Sequence, residues 1–174
     1  MKLFLKLSLV LLVVTLISCG TDYSAEKADS EMQFDEYIKA AGIPDSFKLE
    51  SGLYLIPREE GDGKMPESGD KVIIEYRVYT LDSMYIQDNE LSANKFEFTL
   101  YGSNELSSSN YSIPYGMVGL HEGLTHMREG GKATMIIPYY LAFNQYIVDN
   151  LPRYMNFRVE VNLINISEVP SIPE

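Results

Sequence analysis

The sequence has no tryptophan, one cysteine, two histidines, and 14 lysines and arginines against 25 acidic residues. Each shortage removes a class of protein. A lone cysteine closes no internal disulfide, which excludes the disulfide-stapled scaffolds. Cys19, His121 and His126 are too few and too scattered for a structural zinc site, and the two histidines stand i, i+5, about 140° apart on a helix. A formal net charge of -11 repels phosphate backbones and argues against nucleic acid as a partner. There is no glycine-rich phosphate loop, and the acidic clusters at Glu59-Glu60 and Asp88-Asn89-Glu90 lack the pattern of a calcium loop and read as solvated surface. What is present is 45% apolar residues over 174 positions, enough for one globular domain with a real core.

The N-terminus reads as a targeting segment. Lys2 and Lys6 precede the apolar run Leu7 to Ile17, which is shorter than the about 20 residues a spanning helix needs. The run ends in Leu16-Ile17-Ser18-Cys19-Gly20, which resembles the lipobox of bacterial lipoproteins. By that resemblance residues 1–18 are a removable signal, Cys19 is acylated and becomes the first mature residue, and the chain attaches to a bacterial membrane. Acyl chains hold firmly, since each buried CH2 contributes about 0.8 kcal/mol. Gly20 stands where lipoproteins retained in the inner membrane often carry Asp, so the outer membrane is the expected address, with 19–29 as a polar tether.

Ser30-Glu31-Met32-Gln33 fits a capping box, and Phe34, Tyr37, Ile38 and Ala41 follow at helical spacing until Gly42 and Pro44 stop the pattern. The spacing predicts a short helix in 30–50 that packs on its own domain. From Gly52 the period becomes two: Leu53 to Ile56 start a strand, and alternation returns at Val72 to Tyr79, Phe96 to Leu100, Ala133 to Ile137 and Phe157 to Leu163. Four or five strands with one polar face each make an antiparallel sheet covered on one side. Met117, Leu120, Leu124 and Met127 form the stripe of a single amphipathic helix closed by Gly130-Gly131. The fold class is therefore α+β: a curved antiparallel sheet wrapped around one central amphipathic helix, over residues 51–167, with a tail at 168–174.

The ordered set Gly69-Asp70, Val72 to Tyr76, Phe96 to Leu100, Val118-Gly119-Leu120-His121-Glu122-Gly123, Met127 to Gly130, Ile137-Pro138, Leu141-Ala142-Phe143, Leu151-Pro152 and Phe157 to Val161 resembles the FKBP-type peptidyl-prolyl cis-trans isomerases. Together with the lipobox, it is similar to FKBP-like lipoproteins of Bacteroidota, some of which accompany gliding motility. The resemblance implies the same fold and a site for proline-containing segments of exported or envelope proteins, with no metal and no cofactor. Rotation about an Xaa-Pro amide crosses a barrier near 18–20 kcal/mol set by resonance. A dry apolar pocket withholds the water that favours the charge-separated planar form, and each 1.36 kcal/mol removed is tenfold in rate.

Residue by residue, the resemblance implies a substrate cleft formed by Tyr76, Ile86, Gln87, Phe96, Met117, Leu120, Phe143, Leu151 and Val159. Three positions depart from the family pattern. Leu120 replaces the usual tryptophan floor, Gln87 replaces a rim carboxylate, and Phe143, followed by Asn144, lacks the hydroxyl of the usual tyrosine. These changes keep the cleft apolar and weaken its polar grip, which predicts a lipid-anchored isomerase of weak activity. The alternative is a non-catalytic FKBP-like binding or adaptor lipoprotein of the cell envelope. A stretch from Gly102 to Pro114, rich in Ser and Asn, is longer than the corresponding family loop.

Overall fold

The computed structural model describes residues 22–90, 95–102 and 112–167; Cys19 with its lipobox, the stretch 103–111 and the tail 168–174 lie outside them. The first element, α1 (Ser24–Ala40), begins six residues before the predicted capping box. Ala25, Glu26, Lys27 and Ala28 are good helix formers, and Lys27 pairs with Glu31 one turn on at 3.9 Å, so the stretch read as tether is helical from Ser24. Ser30 is not a cap. It is buried inside the helix, where its hydroxyl donates to Tyr154 O and accepts from Asn156 Nδ2 at 2.9 Å. Distant partners satisfy it, which local spacing cannot reveal. At the other end Gly42 adopts φ +63°, and Ile43 N–H reaches back to Ile38 O at 3.1 Å, the expected stop.

Six strands follow, all antiparallel: β1 (Tyr54–Glu59), β2 (Lys71–Thr80), β3 (Tyr85–Asp88), β4 (Phe96–Thr99), β5 (Lys132–Ile137) and β6 (Phe157–Ser167). The order is β1-β5-β6-β2-β3, with β4 also paired to β2. Only β3 was not foreseen; its four residues are too few to show a period. Register shifts at Pro57/Glu59, Ile73/Ile74 and Val78/Tyr79 bend the strands and curve the sheet.

The inner face carries the predicted alternation. Val72, Ile74, Tyr76 and Val78 of β2 and Phe157, Val159, Val161 and Leu163 of β6 are all buried against α2 (Val118–Thr125) or its flanks. Two glycines let this helix lie close to β5: a Cβ on Gly119 would sit 2.8 Å from Ile137 Cγ2, and one on Gly123 2.5 Å from Met135 Cε. The helix is shorter than the stripe implied. Met117 is its N-cap, and His126 and Met127 close it with i→i+3 bonds to Gly123 O and Leu124 O, so it ends before Gly130-Gly131. Both methionines remain buried.

The expectation of one polar face fails at β5, where Ala133 to Ile137 are buried on both sides. Inward are Ala133, Met135 and Ile137. Outward is Ile136, which joins Tyr54, Phe34 and Ile38 in a second apolar cluster beneath α1. Burying Phe34 and Ile38 contributes about 1.5–3 kcal/mol each, enough to fix the helix on the sheet. Tyr139 Oη donates to Glu31 at 2.9 Å, and Asn156 Nδ2 donates to Ser30 O at 2.8 Å, giving the dock a fixed register.

Candidate functional site

The nine residues expected to form the cleft come from β2, β3, β4, the start of α2, the loop after β5, and β6. The fold brings them together. Tyr76, Met117, Leu120, Phe143 and Val159 are buried in one cluster, and Ile86, Phe96 and Leu151 pack against it half-buried. Met117, Leu120 and Val159 are fully inaccessible, at 0% exposure, in the interior of that cluster. Ile86, Gln87, Phe96 and Leu151 are half-buried at its edge.

Each wall has a local cause. β3 and β4 pair with the same edge of β2 and leave a gap at residues 75 and 76. Asn89 fills it: its Oδ1 accepts from Tyr76 N–H at 2.8 Å and its Nδ2 donates to Ile74 O at 3.0 Å. A side chain thus continues the sheet, fixing Tyr76 beside Phe96, whose ring centroid is 5.5 Å away, edge to face. Burial pushes the Tyr76 phenol above its usual 10.0, so it stays protonated. Gln87 Nε2 donates to Tyr76 Oη at 3.1 Å.

Phe143 follows the short 3-10 turn Tyr139–Leu141 and meets the Phe157 ring at 5.9 Å and 90°. Asn144, next to it, takes φ +52°, the left-handed region that Asn tolerates better than most residues, so the turn survives without glycine. Its carbonyl accepts from Tyr154 N–H at 2.7 Å, tying this loop to the strand that leads into β6. Leu151 is set by a bridge to Val148, with its N–H 2.8 Å from Val148 O.

Three structural partners were not singled out as contributors. Asn89 sat in an acidic run that reads as solvated; its amide type beside a strand end was the only sign. Ile113 lies in the long loop yet is buried in the same cluster, and its carbonyl accepts from Gln87 Nε2 at 2.5 Å. His121 is 1% exposed, ringed by Phe98, Tyr101 and Tyr115. Tyr101 N–H donates to its Nδ1 at 3.2 Å, so the proton sits on Nε2, 2.8 Å from Tyr115 O.

Two open recesses lie mostly apart from the nine expected residues. One, of about 470 Å³, is on the outer sheet face among Arg58, Glu75, Arg77, Glu90, Lys132 and Glu160; the other, of about 650 Å³, separates α1 from the turn at Thr80–Met84. Of the nine cleft residues only Tyr76 lines either. The outer charges pair mostly with one another, as in Arg77 with Glu90 and Lys132 with Glu59, and exposed pairs of this kind contribute little.

A curved antiparallel sheet packed on one helix, with an aromatic and aliphatic cluster between the helix start and the β5–β6 loop, defines a class of small α+β domain. The chain belongs to the FKBP-type peptidyl-prolyl cis-trans isomerase family, whose model matches residues 63–163. It is similar to the FKBP-type peptidyl-prolyl cis-trans isomerase FkpA of Escherichia coli K12, 26% identical over 146 residues, covering 83% of this chain and 49% of that protein. It is also similar to the macrophage infectivity potentiator of Trypanosoma cruzi, 28% identical over 179 residues, covering 95% and 85%. The chain spans about half the length of the bacterial relatives it matches. The crystal structure of Escherichia coli FkpA superposes with TM-score 0.70 at 23% identity over 95% of this chain and 73% of that one. A peptidyl-prolyl isomerase of Pseudomonas syringae pv. tomato gives 0.65 at 19% identity over 86% and 100%.

Proposed function

We propose that this protein is a peptidyl-prolyl cis-trans isomerase of weak activity that takes Xaa-Pro segments of exported or envelope proteins into the cleft walled by Tyr76, Phe96, Met117, Leu120, Phe143 and Val159. The observation that carries the reading is the convergence of these residues, from five separate parts of the chain, into one apolar cluster with the Tyr76–Gln87 hydrogen bond at its edge. A proline amide held there loses water from its carbonyl, which weakens the resonance that keeps it planar. The protein supplies surroundings; no nucleophile or metal takes part. Polar contacts are few, because Phe143 carries no hydroxyl and Gln87 no charge. That supports a modest rate.

Cys19, on this reading, is the acylated anchor, and the outer membrane is the address. α1 starts only five residues after Cys19, so the domain works close to its membrane rather than at the end of a long tether. A protease-coupled assay on a Leu-Pro peptide tests the activity, with Phe143→Tyr plus Gln87→Asp as the internal control. The double variant, which restores both polar groups, is expected to run faster than wild type. Equal rates would show that the missing hydroxyl and charge do not limit the enzyme.

A further inference from the structure

Two donors beside the expected cleft residues, Gln87 Nε2 and Met117 N–H, are already occupied by the chain itself. Gln87 Nε2 donates to the carbonyl of Ile113 at 2.5 Å. That carbonyl is the acyl half of the Ile113–Pro114 amide, the same chemical group that a substrate would offer. Met117 N–H, at the start of α2, donates to Pro114 O at 3.0 Å. Ile113 is 7% exposed and lies in one cluster with Tyr76, Met117, Leu120, Phe143 and Val159; Pro114 is buried as well. The segment is pinned at its far end, where His121 Nε2 donates to Tyr115 O at 2.8 Å, and closed by Gly116 N–H to Ser112 O at 2.7 Å.

We propose that Ile113–Pro114 is an internal occupant of the cleft, an aliphatic Xaa-Pro dipeptide that an external Xaa-Pro segment must displace in order to bind. The inference rests on the reading of the cleft as a proline site and adds its regulation. One feature favours displacement over permanent closure. The bond from Gln87 Nε2 to Ile113 O and the burial of Ile113 and Pro114 are interactions that an incoming aliphatic Xaa-Pro dipeptide also offers, so the exchange replaces like with like. Closure costs affinity without removing it, because the apparent dissociation constant rises by the inverse of the open fraction. The slow turnover expected from Phe143 and Gln87 therefore has a second cause, and any partner that draws the 112–116 segment away would activate the enzyme.

The test uses the full chain in detergent and a fluorescent Leu-Pro peptide, comparing wild type with Ile113→Ser plus Pro114→Gly, which leaves Gln87 and every cleft residue intact. The variant is expected to bind about tenfold more tightly and to isomerise faster in proportion. If wild type binds and the variant binds no better, the segment does not compete; the inference falls while the proline cleft stands. If neither binds nor isomerises the peptide, the cleft reading fails and takes the inference with it. A readout on wild type alone covers a variant that fails to fold. Saturating peptide should speed hydrogen exchange at the Gly116 amide, and unchanged protection with peptide bound would overturn the proposal.

Discussion

At the scale of single residues, His121 shows how an unremarkable histidine becomes structural. Burial holds its imidazole below the usual 6.5, and the two bonds it makes require the neutral form. Protonation would place two donors face to face at Nδ1. The unfolded chain accepts a proton near pH 6.5 and the folded one does so only lower, so the stability present above 6.5 is lost as the pH falls from there toward the folded value. Asp22, Glu75 and Asp82, held below their usual 3.8 and 4.5 mainly by hydrogen bonds, lose their contributions further down. Melting temperature should thus drop between about pH 7.5 and about pH 5.5 in wild type, and His121→Gln, which carries an acceptor and a donor without titrating, should flatten that slope. An unchanged slope would show that His121 is not the group responsible. Leu120 is a second case. The family's tryptophan has no room at a position with no exposed surface, so Leu120→Trp is expected to cost about 1–3 kcal/mol in urea unfolding rather than to restore a better floor.

At the scale of elements, the N-terminal helix and the central helix are held by different means. α1 docks through apolar burial and a small polar lock centred on Asn156, whose side chain joins Tyr139 N–H, Ser30 O and Ser30 Oγ at 2.8 to 2.9 Å. Removing it leaves buried groups unpaired. Asn156→Ala should cost about 1–3 kcal/mol and speed hydrogen exchange along α1 before the sheet, whereas exchange rising everywhere at once would show that the helix is not a separate unit. The central helix depends on closeness. A Cβ branch at Gly119 meets Ile137, so Gly119→Val is expected to destabilise by about 1–3 kcal/mol and to loosen the cleft floor, read as a lower urea midpoint and weaker peptide binding.

At the scale of the whole molecule, the period-two runs of β2 and β6 and the stripe from Met117 to Met127 were enough to read an α+β sheet on one helix, because each buries a single face. The period failed where an element is covered twice, at β5, and where a strand is only four residues long, at β3. Ser30 reads as a cap from its spacing but is an interior helix residue, because its partners lie more than 120 residues away in sequence. For the candidate site, the resemblance supplied residues that the fold gathers. It offered nothing about Asn89, which completes a strand edge, or Ile113, whose burial depends on tertiary contacts that no local pattern shows. The lipid anchor has its own check: intact mass of the mature chain should equal the sequence from Cys19 plus acyl groups, and an unmodified cysteine would remove the membrane from the account. If the apolar cluster around Leu120 and Phe143 binds and turns Xaa-Pro bonds, two-dimensional exchange NMR on a Leu-Pro peptide shows cis/trans exchange faster with the full chain than the tens of seconds of the unassisted bond, saturating as peptide is raised. Exchange at the unassisted rate, with no peptide bound, would show that it does not.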